Sequence, residues 1–256
     1  MKKFRLSEEL SESIVDGIIE GYKDYLRVRK EAARNLKVHG AYAWVKGNHI
    51  DHHVAVQCEK LGVESKLSKA GVTWQYLKFS VDDIKTLFLI KNARYFDPEA
   101  VDRGKDTYGR SKSKKSAYME EFISINEDVE FPSKTNKTPS GQSRQLVLFD
   151  ELPFASLTNE EVSEIAKQYD RFYIVTYEID DEFLINAVNL WMPNPLDNKA
   201  YLVEDLSDHI NTKTSHIIEM EEQTKAILQN STEMPDASLY DIEIVEDDID
   251  EATGES

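Results

Sequence analysis

The chain has 256 residues, 40% of them hydrophobic and 10% aromatic, enough to bury a substantial core in one large domain or two small ones. Its net charge of −17 argues against a general binder of nucleic acid or anionic membrane, because phosphate repels such a surface. A single cysteine, Cys58, excludes an intrachain disulfide and a cysteine-rich zinc knuckle and fits a reducing cytoplasm.

The first residues, MKKFRLSEELSES, carry charge but lack the apolar segment of a signal peptide. No run of eighteen apolar residues marks a membrane span. Ser7 is placed to cap a helix. Leu10, Ile14, Ile18, Tyr22, Tyr25, Arg29, Ala33 and Leu36 then follow helical spacing, with only the arginine breaking the stripe. The pattern predicts a long helix from Glu8 to Lys37, locally weakened by Gly17 and Gly21.

A second stripe of Ala43, Gly47, Ile50, Val54, Cys58 and Leu61 predicts a helix from Tyr42 to Leu61, stopped by Gly62. The alternation in VESKLSKAGVTWQYLKFSV reads as a hairpin turning at Ala70-Gly71. Lys85 to Phe96 is apolar on both faces at its centre, as an interior strand is. From Asp97 to Arg144 the chain turns polar, and Arg103 to Lys115 holds six basic residues against one acid. Composition predicts a mobile insertion there.

Gln145-Leu146-Val147-Leu148-Phe149 follows abruptly. Thr158-Asn159-Glu160-Glu161 forms a capping box for a short helix. RFYIVTYEID and EFLINAVNLWMPNP read as two strands joined at Asp180-Asp181. Tyr201 to Asn230 reads as helical, with Ile210, Ile217, Met220, Ile227 and Leu228 as its apolar set. Ser231 to Ser256 holds ten acids and no basic residue, which predicts a disordered acidic tail. Within it, LYDIEIV has strand character.

Strands and helices are segregated, so the expected fold is α+β with a mainly antiparallel sheet. Residues 1–96 form a helical and hairpin part, 97–144 the insertion, 145–230 the part completing the same core, and 231–256 the tail.

Four constellations bear on function. His49, His52 and His53, with Asp51 among them, have the helical spacing to share a divalent metal ion. HIDHH resembles the zinc-protease helix HExxH only superficially. Ile50 stands where that motif needs its glutamate, so the protease role does not carry over. The alternative is a polar helix face rich in histidine. Asp51 with Glu64-Ser65-Lys66 resembles the carboxylates and lysine of the PD-(D/E)xK nucleases, which implies two acids on Mg²⁺ and a lysine orienting water. That family carries its ExK on a hydrophobic core strand, whereas Glu64 to Lys66 sits in a polar hairpin arm. Phosphate-binding glycine loops and a GxSxG elbow are absent from the sequence. Cys58 and the aromatics Trp44, Trp74, Tyr76 and Trp191 read as core.

The pentapeptide Gln145 to Phe149 matches every fixed position of QLxLF, and so resembles the motif by which bacterial replication and repair proteins bind the DNA sliding clamp. The resemblance implies that Gln145 hydrogen-bonds at the pocket entrance, Leu146 packs at its mouth, and Leu148 and Phe149 fill an apolar cleft. Four consecutive apolar residues are also the mark of a buried strand, which leaves nothing for a clamp to hold. The acidic tail solvates the chain, competes with DNA for a basic protein, or folds back on Arg103 to Lys115.

AGVTWQYLKF, LFLIKNARYF, QLVLFDELP and FYIVTYEID in succession also resemble proteins of bacterial prophages and mobile elements. That resemblance implies a bacterial cytoplasm and phage–host conflict or mobile-element upkeep. The expected function is a non-enzymatic interaction protein without cofactor, whose partner is the sliding clamp or another DNA-metabolism protein. The alternatives are a metal-dependent nuclease and a DNA-mimicking inhibitor.

Overall fold

Ser7 does cap the first helix: its side-chain oxygen accepts a hydrogen bond from the Leu10 N–H at 3.3 Å, and Glu8 and Glu9 lie in the positive first turn. In the computed structural model, which describes residues 1–70, 74–106, 108–113, 116–132, 168–210, 212–213, 216–218 and 220–230, this helix is α1, Glu8–Asn35. Leu10, Ile14, Ile18, Tyr22 and Tyr25 bury its stripe. Arg29 stays in the stripe and is fully buried, donating to the carbonyls of His39 at 3.2 Å and Ile227 at 3.3 Å.

Helix α2 runs Lys46–Glu59, shorter than expected at its start. Gly40–Ala43 forms a 3₁₀ turn instead, in keeping with the poor helix propensity of glycine around Gly40 and Gly47. Gly62 takes a left-handed φ of 74° just past its end, as a helix-stopping glycine does. Gly17 and Gly21 allow the two helices to touch. A Cβ on Gly17 would stand 2.5 Å from the Val54 Cα, and one on Gly21 2.5 Å from the Ile50 Cα.

Six strands follow: β1 Val63–Ala70, β2 Trp74–Val81, β3 Thr86–Asn92, β4 Arg171–Ile179, β5 Ile185–Asn194 and β6 Lys199–Asp205. They lie side by side in sequence order, all pairs antiparallel except β3 with β4. The fold is α+β, as the segregated pattern requires. The parallel pair demands a crossover, because a hairpin cannot join parallel strands.

The central strands are buried on both faces. Phe88, Tyr173, Val175 and Tyr177 belong to the core under α1 and α2. Leu87, Leu89, Phe172 and Ile174 belong to a second core on the other face. Described residues of the expected insertion 97–144 contribute to that second core, and 133–144 lie outside the described residues. Helix α3, Ala117–Ser124, lies in the crossover and buries Met119, Phe122 and Ile123 there, beside Val101 and Ile125. Asn126 is fully buried, donating to the carbonyls of Phe172 and Pro193 and accepting from the Phe172 N–H, all within 2.8–2.9 Å. A few apolar residues and such polar anchors hold residues 97–132, which composition alone reads as loop.

The helix expected over Tyr201 to Asn230 is also corrected. The chain turns back through Asn198, φ 58°, and lays β6 beside β5. A 3₁₀ turn Ser207–His209 follows, and only Glu222–Asn230 is helical, as α4. Arg29 and Lys30 of α1 hold α4, the first through the Ile227 carbonyl and the second by a 2.8 Å pair with Glu221. His216, buried, bridges Asp16 at 2.8 Å and the Ile210 carbonyl at 2.7 Å. No helix among the described residues is long and apolar enough to cross a membrane.

Candidate functional site

The histidines of α2 turn toward α1. His49 Nδ1 lies 2.7 Å from the Asp24 carboxylate and His53 Nε2 3.6 Å from the same oxygen, while His52 packs edge-on against His53 with ring centres 5.4 Å apart. The i, i+4 spacing that reads as a metal pair brings His49 and His53 to one carboxylate. Burial alone would raise the Asp24 carboxyl, but hydrogen bonds from Arg27 and His49 outweigh it and hold it at about 2. Among the described residues no group of three or more His, Cys, Asp or Glu side chains is arranged to hold a metal ion.

Asp51 and the Glu64–Lys66 pair do different work. Asp51 accepts a 2.9 Å hydrogen bond from the Leu77 N–H, which lies beyond the short β2–β3 ladder of Phe79–Val81 against Thr86–Phe88. Asp51 thus ties α2 to β2 where β2 and β3 part. Lys66 and Glu64 pair with each other at 3.5 Å, with side chains 65% and 59% exposed on β1. The nuclease reading needs both carboxylates turned to one ion. The pentapeptide Gln145, Leu146, Leu148 and Phe149, the capping box at Thr158 and the tail all lie outside the described residues.

Two surface features were not named from the sequence. The first is an open groove of about 650 Å³ between the second half of α1 and the segment leading into α4. Lys23, Arg27, Lys30 and Arg34 line it from α1, with Leu26 at its base. Ile217, Ile218, Met220 and Thr224 form the opposite wall. The signal was present as a basic i, i+4, i+7, i+11 series on one helix face. Its apolar wall could not be assigned while residues 201–221 were read as helix.

The second is a small cavity of about 30 Å³ at the end of β3, where Lys91 and Asn92 meet Arg103, Lys105, Lys112 and Ser116. It gathers part of the basic stretch Arg103 to Lys115. Buried Asp102 is also at its wall, accepting from the Asn198 side chain. Lys91 is engaged with Tyr118, donating to its hydroxyl at 3.2 Å.

Searches of protein families, of curated proteins and of solved structures find no match to this chain.

Proposed function

We propose that the protein is a non-enzymatic interaction protein that binds the bacterial DNA sliding clamp through Gln145, Leu146, Leu148 and Phe149. It acts in the cytoplasm, in a phage or mobile-element context. The observation that carries this reading is the full QLxLF match in the chain between β3 and β4.

The described sheet supports it. Strands β1 to β6 are hydrogen-bonded in unbroken order, and both faces of β3 and β4 are covered by helices from the described residues. The net charge of −17 fits a protein partner better than a nucleic acid.

Burying Leu148 and Phe149 in an apolar cleft yields roughly 1.5–3 kcal/mol each. With backbone hydrogen bonds added and ordering costs subtracted, the expected affinity is about micromolar. The test is titration of the purified protein with a purified bacterial sliding clamp, followed by light scattering or anisotropy. Wild type binds, and a Leu148→Ala/Phe149→Ala variant with unchanged circular dichroism binds at least tenfold more weakly. No binding by wild type refutes the reading. So does unfolding of the double variant, because the side chains are then core.

A further inference from the structure

We infer that the cavity at the carboxyl end of β3 binds a phosphate group, either free phosphate or the terminal phosphate of a small monoester. The inference stands apart from the clamp reading and uses none of its residues.

The crossover puts the parts in place. A parallel strand–helix–strand unit carries the first turn of its helix to the carboxyl end of the leading strand, and the N–H groups there favour an anion. Here the helix is α3, and its cap residue Ser116 lines the cavity together with Lys91 of β3. Ser116 does not cap with its side chain. Its Oγ makes no bond to the first turn and is buried with no hydrogen-bond partner among the described residues. A buried hydroxyl in that position is costly until a ligand bonds it.

The cavity also has a surplus of positive charge. Lys91, Arg103, Lys105 and Lys112 line it against one lining acid, Asp102. Asp102 turns Oδ1 to the Asn198 side chain and stands 4.0 Å from Arg103. Lys91 donates to the neutral Tyr118 hydroxyl. The neighbouring acids are committed elsewhere. Asp97 accepts from the Ser111 hydroxyl and the Glu99 N–H, Glu99 pairs with Lys199, and Asp106 takes the Arg110 side chain at 3.2 Å. The α1–α4 groove differs, since Glu20, Asp24, Glu31 and Glu221 answer its cations.

Backbone bonds hold the basic arm against the sheet. The Lys105 N–H donates to the Tyr95 carbonyl at 2.8 Å, the Lys112 N–H to the Gly104 carbonyl at 3.1 Å and the Ser116 N–H to the Asp102 carbonyl at 2.7 Å. Phe96, Val101 and Met119 give the cavity an apolar floor that belongs to the second core. Low polarity beneath the cations strengthens their pull on an anion.

Volume and charge set the ligand. The cavity holds about 30 Å³. One water needs about 10–15 Å³, and a cavity that takes benzene has about 150 Å³. The site therefore takes the oxygens of one phosphate group, and the remainder of an ester projects outward. The net charge of −17 disfavours a long polyanion, which leaves a small phosphate compound.

The test is amide NMR of the full chain at low salt, titrated separately with sodium phosphate, glycerol 3-phosphate and sodium chloride at matched ionic strength. The amides of Lys105, Tyr118 and Met119 should shift and saturate at about millimolar phosphate, and chloride should leave them in place. Arg103→Gln/Lys105→Gln, made together, should weaken binding at least fivefold. Ser116→Ala removes one oxygen and no charge, and should weaken it at least threefold, which decides the matter even where the double variant fails to fold. Arg27→Gln/Lys30→Gln in the α1 groove should leave the affinity unchanged. Saturation by glycerol 3-phosphate assigns the ester, and saturation by inorganic phosphate alone assigns the free anion. Both outcomes support the site. Absence of saturable shifts with either phosphate overturns the inference. So do shifts that chloride reproduces, an affinity unchanged in Ser116→Ala, and an equal loss in Arg27→Gln/Lys30→Gln.

Discussion

Gly21 of α1 meets Ile50 of α2 backbone to backbone: a Cβ on Gly21 would stand 2.5 Å from the Ile50 Cα and 2.7 Å from the His49 carbonyl oxygen. Gly17 meets Val54 in the same way one turn earlier. On an isolated helix Gly→Ala is stabilising by up to about 1 kcal/mol. Here the obstruction is backbone, which has no rotamer to escape into. Gly21→Ala is therefore expected to destabilise the protein by about 1–3 kcal/mol, read from the urea midpoint. An unchanged or raised midpoint would show that α2 slides away without loss.

Asn126 is the second test, because it uses every polar atom of its side chain inside the sheet. Asn126→Asp keeps the size and the acceptor for the Phe172 N–H. It removes both donors and sets an oxygen against the carbonyls of Phe172 and Pro193. Each buried group left unsatisfied costs about 1–3 kcal/mol, so the expected loss is roughly 3 kcal/mol or more in chemical denaturation. A loss under about 1 kcal/mol would mean that residues 116–132 do not anchor β4 and β5.

Asp24 makes stability depend on acid. Its folded carboxyl is held at about 2, below its ordinary value of 3.8. A depressed carboxyl contributes stability that is complete above the unfolded value and lost as pH falls through the folded one. The stability advantage of wild type over Asp24→Asn is thus expected to be full at pH 5 and to shrink between about pH 4 and pH 2. Urea unfolding at pH 5, 3.5 and 2.5 gives the comparison. A difference that stays constant over this range would remove the ionic role of Asp24.

Cys58 is fully buried on the apolar stripe of α2, and burial pushes its thiol up to about 12. The thiolate is the reactive form, so the native protein at pH 8 is expected to react with a thiol reagent at least a hundredfold more slowly than the same protein in urea. Rapid labelling of the folded chain would place Cys58 at the surface and count against the packing of α2.

Much of the fold was legible because periodicity records burial. The stripe from Leu10 to Tyr25 gave α1 within two residues of its end, and Ser7 does cap it. The two-faced apolar runs gave β3 and β4, each covered by a helix layer on either side. Legibility failed where the signal was short or polar. Strand β6 has one deeply buried residue, Val203, in seven, too few to show a period of two. Residues 97–132 are secured by buried Asp97, Asp102 and Asn126, residue types that ordinarily signal loop.

The candidate site divides the same way. Sequence spacing put His49 and His53 on one face of α2, and that was correct. It could not show Asp24, twenty-five residues earlier, waiting on α1. Asp51 likewise found the Leu77 N–H, not a partner acid.

By itself the sequence determined the class of fold, the ends of α1, the central strands and the acidity of the chain, because each is written in local spacing or in composition. Only the tertiary structure decided that Gly17 and Gly21 are contact points, that Arg29 is a buried clasp on α4, and that the polar crossover closes a second core. Those facts depend on which side chain meets which across long stretches of chain. No local pattern carries that information, because a glycine, a buried arginine and a polar anchor owe their roles to the surface that arrives opposite them.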